Sequence, residues 1–368
     1  MTIEALAAEP DKTADALVAR LFQASIGMFD VMSVYVGDRL GSYRALHAGG
    51  PATAGELASR IGINQRYARE WLEQQAATGI LEVDDASAAA EERRYALPDA
   101  YVAPLLDPDS PYSIAPLGRA IVACAKVMPE LLDAYRIGGG VAWADFGPDM
   151  IEAQGDFNRP WLVGSFGSEL LPAIPAIHER LLADPPARVA DVACGVGWAS
   201  IAIARSYPKV RVDGFDVDSS SIELARQNAL DAGVSDRVTF EKRDVAHAKP
   251  GHYDLAVVIE AVHDMAQPVA VLSAVRRMLR PGGVALVADE KTDDAFSAPA
   301  GDAERLYYGF SLFTCLPAVM TERPTAAIGT VIRADVMARL GAEAGFGTVE
   351  RLDEPALEML RFYRLSAT

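Results

Sequence analysis

An α/β fold is predicted for this chain of 368 residues, with a Rossmann-like, mostly parallel sheet in its C-terminal half and a smaller α-helical, winged-helix domain before it. Three observations predict it. Short apolar runs recur from residue 188 onward, bounded by turn residues and separated by helical stretches, as in strand–helix–strand units. A glycine-bearing turn, Asp191-Val192-Ala193-Cys194-Gly195-Val196-Gly197-Trp198, lies between the first such run and its helix, and the next run ends at an acid, Asp216. The first hundred residues follow another order, helices and then two short strands. The length fits two domains or slightly more.

Taken from the N-terminus, Ala14 to Phe29 and Met32 to Leu46 carry apolar residues at helical spacing, broken near Gly41 and closed at Gly49-Gly50-Pro51. Thr53 opens a capped helix that stops at Gly62, and Asn64 caps the next, which runs to Thr78. Gly79 to Val83 and Arg94 to Leu97 are expected as short strands joined by the polar tip Asp84 to Glu92. This is the order of a winged helix-turn-helix. A DNA-binding role would draw on phosphate neutralisation, yet residues 1 to 107 hold nine Lys and Arg against sixteen Asp and Glu, and the whole chain is at −17. Arg66 and Arg69 in the candidate reading helix are accompanied by Glu70 and Glu73, so no nucleic-acid partner is expected. The apolar face Leu17, Leu21, Ile26, Phe29 and Val34 suits either a contact between chains or internal core.

Between residues 108 and 180 a helical linker gathers Trp143, Phe146, Phe157, Trp161 and Phe166 among several glycines. Aromatics around an apolar pocket suit a flat, ring-bearing ligand, and they equally suit a linker core. Phe157 and Trp161, four residues apart, share a helix face.

Arg188 to Ala193 is short and apolar and is expected as a buried parallel strand, with helical spacing from Ser200 to Ser206. Without side chains, Gly195 and Gly197 let a ligand lie against the backbone, where amides at a helix N-terminus can donate to it. Val210 to Phe215 is the second strand, and the carboxylate of Asp216 at its end can accept from both hydroxyls of a ribose. A dinucleotide site would want a third glycine where this chain has Ser200, which weakens that alternative. Val238 to Asp244 and Tyr253 to Glu260 are the third and fourth strands. Leu279-Arg280-Pro281-Gly282-Gly283 is a helix stop and turn before a fifth, Val284 to Asp289, and Val349 to Leu352 and Arg361 to Leu365 close the sheet.

From the glycine loop through Leu-Arg-Pro-Gly-Gly, this succession resembles the class I S-adenosylmethionine-dependent methyltransferases, closely over residues 188 to 290. The resemblance implies their seven-stranded sheet and S-adenosyl-L-methionine as cofactor. It implies that Asp191, Ala193, Gly195 and Gly197 line the methionine side, that Asp216 holds the ribose, and that Asp244 with Val245 meets the adenine; Val217 and Glu260 join the cofactor-binding set. Ala193 stands where the family's first-loop pattern has glycine. Small-molecule O-methyltransferases carry a His-Asp pair, usually followed by Trp, after the fourth strand, and the histidine is their general base. Here the residues are His263, Asp264 and Met265. Members of that group often carry an N-terminal winged-helix domain that pairs two chains, so a homodimer is expected. The implied boundaries are 1–107 for the winged-helix and dimerisation domain, 108–180 for the linker and 181–368 for the cofactor-binding catalytic domain.

A phenol or alcohol must lose its proton as it attacks a sulfonium methyl group, and a placed histidine contributes about 10² to 10⁴ in rate. His263 is the candidate base. Asp264 is expected to cap the following helix or to orient the base, and Glu290 to steady it from the fifth strand. Tyr308 and Phe313, in the insertion Lys291 to Arg333, join Phe157 and Trp161 as candidate acceptor contacts. No Asn/Asp-Pro-Pro-aromatic run and no Pro-Cys pair is present, which with the acidic charge favours a small-molecule acceptor over nucleic acid. Cys124, Cys194 and Cys315 form no metal-ligand spacing and suit a reducing cytoplasm. No metal and no membrane partner is expected, and Met1 to Ala5 shows no secretion signal. Two other readings stay open: the same fold methylating nitrogen or carbon or using the cofactor without methylation, and a winged-helix regulator binding DNA.

Overall fold

The structure is a computed structural model that describes residues 12–247, 250–353 and 357–367; the segment Met1 to Ala5 discussed above lies outside them. The chain divides into two compact units, one made of Pro10–Ala125 with Glu152–Pro160, the other of Lys126–Ile151 with Trp161–Thr368. Residues expected as a linker are thus shared between them.

In the first unit, α1 (Ala14–Leu40) starts at Thr13, whose hydroxyl accepts from the Ala16 amide, and stops at Gly41 with φ 72°. Two helices were expected here, divided between Phe29 and Met32. The structure has one, because Asp30 and Val31 carry no turn chemistry and only Gly41 breaks the repeat. By length and composition α1 could cross a membrane, with mean hydropathy 1.3, which a search for uninterrupted apolar residues misses because Asp30 divides the run. Then come α2 (Ser42–Gly49), α3 (Ala54–Ile61) and α4 (Gln65–Ala77). A reciprocal capping box of Thr53 and Glu56 opens α3, and Gly62, at φ 71°, ends it. Asn64 caps α4 through the Arg66 amide. The wing is short: β1 (Glu82–Val83) pairs antiparallel with β2 (Tyr95–Ala96). Tyr43, Leu46, Leu57, Leu72 and Tyr95 form the buried centre of this unit. On α4, Arg66 pairs with Glu70 and Arg69 with Glu91, so both basic groups of the candidate reading helix are already neutralised.

The second unit is built on seven strands: β3 (Arg188–Val192), β4 (Arg211–Asp216), β5 (Val238–Lys242), β6 (Tyr253–Ile259), β7 (Leu279–Glu290), β8 (Thr348–Leu352) and β9 (Leu360–Ser366). Their order is β5-β4-β3-β6-β7-β9-β8, parallel except for β9, which runs antiparallel to β7 and β8. The chain turns outward from β3 in one direction through β4 and β5 and in the other through β6 and β7, so the gap between the carboxyl ends of β3 and β6 is a topological switch point. Both faces of the sheet are covered: Val189, Val257 and Leu286 pack into one apolar layer, and Ala190, Val258 and Val287 into the other. The Leu-Arg-Pro-Gly-Gly segment, expected as a turn, is taken up into the start of β7, where the pairing with β6 shifts register between Tyr253 and Leu255. Leu279 and then Val284 onward pair with β6, and with Gly282 at φ 79° the residues between them form a bulge. The third strand ends at Lys242, two residues short of the acid expected to close it.

Candidate active site

The parallel strands β3, β4, β6 and β7 deliver their carboxyl ends to the same edge, each ending at or one residue away from a residue of the expected site. After β3 the backbone adopts the left-handed region at Ala193 (φ 56°), Gly195 (φ 50°) and Gly197 (φ 86°). Gly197 has no alternative, because a side chain there would start 2.5 Å from the Phe240 ring. At Gly195 the reason differs: beyond its chain neighbours no atom lies within 4 Å of where a side chain would begin, and the space is open for a ligand. Ala193 and Glu260 (φ 48°) are non-glycine residues in the left-handed region at the ends of the paired strands β3 and β6. Such conformations cost about 1–3 kcal/mol each and cluster at functional sites.

Asp191 is buried under this loop, and its Oδ2 accepts from the Ser200 amide at 3.1 Å and the Ser200 hydroxyl at 2.7 Å. Burial pushes the Asp191 carboxyl up to about 6, against the pull of those two bonds. Ser200, which stands where a dinucleotide site has glycine, is therefore the partner of Asp191, a role that no sequence pattern announced. Asp216 at the end of β4 accepts from the Gly195 amide through Oδ2 and from the Asp218 amide through Oδ1, both at 2.9 Å. Burial raises its pKa, and these amides oppose the rise. Val217 beside it is 65% exposed. Past β5, Val245 is buried, while Asp244 is exposed, with its carboxylate accepting from the Ala246 amide at 2.9 Å. Cys194 is a neutral thiol, held far above its ordinary pKa by burial and by Asp191 and Asp216, as suits an apolar filler.

A single helical turn, Val262–Asp264, follows β6 and carries His263, which is 2% exposed. Its Nδ1 lies 2.6 Å from Oδ1 of Asp289 and 2.9 Å from Oε2 of Glu290, at the end of β7. Its Nε2 faces Oδ1 of Asp264 at 3.4 Å. Asp264 does not cap the next helix, Pro268–Met278, whose cap residue is Gln267 without a side-chain bond. Its carboxylate turns to the imidazole instead, because Pro268 at the helix start needs no amide partner. The shorter of the two Nδ1 contacts belongs to Asp289, which the sequence analysis left out of the site. Burial disfavours charge on the ring, but Asp264, Glu290 and Asp289 together outweigh it, and His263 keeps its proton well above the ordinary imidazole range. Glu290 is driven up by burial and by the charge of Asp289, and is the neutral member of the group. Asp289 moves down despite its burial, because His263 and Glu290 both stabilise its charge. Followed by NMR, the His263 ring is expected to lose its second proton above pH ~6.5. Asp289→Asn removes one of the charges holding that proton and should shift the midpoint to lower pH; an unchanged midpoint would separate the two residues electrostatically.

With this geometry described, comparison with known proteins is decisive for the second unit. A family model described as a methyltransferase domain matches residues 183–326. Residues 183–326 are an S-adenosylmethionine-dependent methyltransferase domain. An Rv2258c-like winged HTH domain model matches residues 27–106 ahead of it. The chain is 33% identical over 115 residues to methyltransferase GfsG of Streptomyces halstedii, covering 31% of this chain and 41% of that protein. It is 31% identical over 122 residues to the ubiquinone biosynthesis O-methyltransferase of Xanthomonas campestris pv. campestris (strain B100), covering 33% of this chain and 50% of that one. The chain thus spans about two-fifths to half the length of these curated relatives. Among solved structures, human N-acetylserotonin methyltransferase in complex with SAM superposes with a TM-score of 0.69 at 18% identity, over 99% of this chain and 100% of that one, which is a likeness of fold.

The expected acceptor contacts are less gathered. In the methyltransferase domain and its flanks, Tyr308 lies at the end of the helix Asp302–Phe310, edge-on to Phe296, and Phe313 sits half-buried in the π-helical turn Ser311–Cys315 that continues it. Trp161 packs edge-on against Phe166 and Phe362, a core role. Phe157 is exposed and belongs to the first unit. Cys315 is a group the sequence reading left out of the site: its Sγ lies within 4.8 Å of a ring nitrogen of His263 and a carboxylate oxygen of Asp264, and the thiol is pushed up to about 12 by burial and by Asp264.

Proposed function

We propose that the protein transfers a methyl group from S-adenosylmethionine to a hydroxyl of a small aromatic or polycyclic metabolite, with His263 as general base. The carrying observation is the 2.6 Å contact between Nδ1 of His263 and the buried Asp289. With Nδ1–H donated to that carboxylate, loss of the ring's second proton at raised pH frees the lone pair on Nε2, the nitrogen that can then take a proton from an acceptor. Gly195 and Gly197 with the amides of their loop, Ala193, Asp191 through Ser200, and Glu260 form the edge for the methionine side; Asp216 offers its remaining lone pairs to a ribose, with Val217, Asp244 and Val245 toward the base. The open space at Gly195 and the half-buried carboxylate of Asp216 fit such a group. When bound, the sulfonium supplies an electrophilic methyl group. His263, once its second ring proton is lost, would hold Nε2 toward the acceptor hydroxyl and take its proton. Tyr308 and Phe313 are the acceptor contacts of this reading, which names a class and leaves the metabolite open.

Thermal unfolding tests the cofactor. A ligand at ~100 times its Kd adds about 2.7 kcal/mol, or roughly 5 to 10 °C for a domain of this size. S-adenosylmethionine and S-adenosylhomocysteine should produce that shift and nicotinamide dinucleotides should not. Methyl-labelled cofactor offered with a panel of phenols then tests the acceptor class; label appearing only on amines or carbon would replace the hydroxyl.

The same proposal includes a homodimer formed through α1, in a reducing compartment such as the cytoplasm; none of the three cysteines is in a disulfide. Leu17, Val18, Leu21, Phe22, Ile26 and Phe29 are exposed on this helix, whereas Val34 of the expected face packs against the first unit's core. An exposed apolar surface of this kind marks an interaction site. Replacing Leu21 and Phe22 with Asp should weaken self-association by at least ~100-fold, since an unpaired charge in an interface costs about 3 kcal/mol or more. Sedimentation equilibrium measures it. A monomeric wild-type chain that floats with lipid vesicles would assign α1 to a membrane.

A further inference from the structure

On the Nε2 side of His263 the structure assembles three groups that the methyl-transfer reading does not require together. A ring nitrogen of His263, a carboxylate oxygen of Asp264 and Sγ of Cys315 lie within 4.8 Å of one another. Imidazole, carboxylate and sulfur form a donor set suited to Zn²⁺ in a site with three protein ligands and one open position. Ligand atoms around tetrahedral zinc are about 3.3–3.8 Å apart, so a contraction of about 1 Å closes the site.

Three further observations support a ligand there. Nδ1 of His263 is held at 2.6 Å by the buried Asp289, and a metal-ligating histidine is oriented in this way, its second nitrogen bound to a carboxylate. Cys315 ends the π-helical turn Ser311–Cys315, a distortion that adjoins functional sites more often than ordinary helix does. The Asp264 side chain is 39% exposed, which provides a path of entry to an otherwise buried corner. Asp289 and Glu290 on the other side of the ring meet the same distance criterion, but both are buried, offer no sulfur and are occupied with Nδ1.

We propose that His263, Asp264 and Cys315 bind a thiophilic divalent cation of the Zn²⁺ class, and that the bound cation stops methyl transfer by taking the Nε2 lone pair. Binding releases the thiol proton and the Nε2 proton of His263 to solvent and leaves a thiolate and a neutral imidazole on the cation, with no change of oxidation state. The inhibitory half rests on the reading of His263 as base; the binding half does not.

Co²⁺, the spectroscopic stand-in for Zn²⁺, added to the purified full-length chain separates the two. A near-ultraviolet thiolate-to-cobalt charge-transfer band should appear, saturate at one equivalent and be displaced by Zn²⁺. Cys315→Ser should abolish it and Cys124→Ser should keep it. Asp264→Asn, which retains the thiol and the imidazole at a partly exposed position, should raise the Kd for Zn²⁺ at least about tenfold. Absence of the band, or its survival in Cys315→Ser, overturns the site. Zn²⁺ should also lower methyl transfer in the wild type at least about tenfold, reversed by a chelator and blunted in Cys315→Ser. A Cys315-dependent band with undiminished methyl transfer overturns the inhibition.

Discussion

Replacing His263 with alanine is expected to lower kcat by about 10²–10⁴-fold, the usual contribution of a placed general base. The affinity for S-adenosylmethionine should stay essentially unchanged, because the residues proposed to hold the cofactor lie at or after the ends of β3, β4 and β5, and Glu260 after β6 is left in place by the substitution. Single-turnover transfer of labelled methyl, with calorimetry on the same sample, separates the two effects. Asp289→Asn should reproduce much of the loss while leaving the imidazole in place: an amide at 2.6 Å can present its NH₂ to Nδ1 and favour the tautomer with the proton on Nε2. If His263→Ala keeps most of the rate, no acceptor proton is being removed, and methylation of nitrogen or carbon, or use of the cofactor for its charge alone, becomes the better reading.

Asp216→Asn is expected to weaken S-adenosylmethionine and S-adenosylhomocysteine binding by about 10–100-fold, from the loss of about 1.5–3 kcal/mol that hydrogen bonds to a charged acceptor contribute. Calorimetry against both ligands checks it, and equal affinities in variant and wild type would remove Asp216 from the site. Two effects reinforce each other at this position. The carboxylate is proposed to accept from the ribose, and it already accepts from the Gly195 amide, which holds the loop in its left-handed conformation. An amide side chain can still serve one of these partners through its oxygen, so the loss should be partial.

Where recognition depended on local chemistry, the sequence was a sufficient guide. The stops at Gly41 and Gly62, the capping box of Thr53 and Glu56, and the strand–loop–helix around Gly195 and Gly197 are each written in a few neighbouring residues, since caps and left-handed turns constrain which side chains fit. Ala193 shows the limit of such reading. Its departure from glycine was visible, but that it bears a φ of 56° was not. The division of α1 failed because amphipathic spacing changes character near residue 30 without any residue that ends a helix, while the helix stop held at Met278 and the expected turn at Pro281 to Gly283 is an unpaired bulge inside β7, with Gly282 at φ 79°.

Asp289 and Glu290 were both visible as the end of the fifth strand, yet only the register of β7 against β6 decides which carboxylate takes the closer contact with Nδ1 of His263. Cys315 reaches the same imidazole from a distant insertion, with no spacing that could have announced it. By itself, then, the sequence determined the two kinds of domain, the glycine-bearing loop after β3, the acid at the end of β4 and the histidine after β6, because each is specified by residues close together along the chain. The tertiary structure decided the partners of that histidine, the bond between Asp191 and Ser200, and the gathering of His263, Asp264 and Cys315, because side chains far apart in sequence converge only once strand order and register have set where each backbone ends.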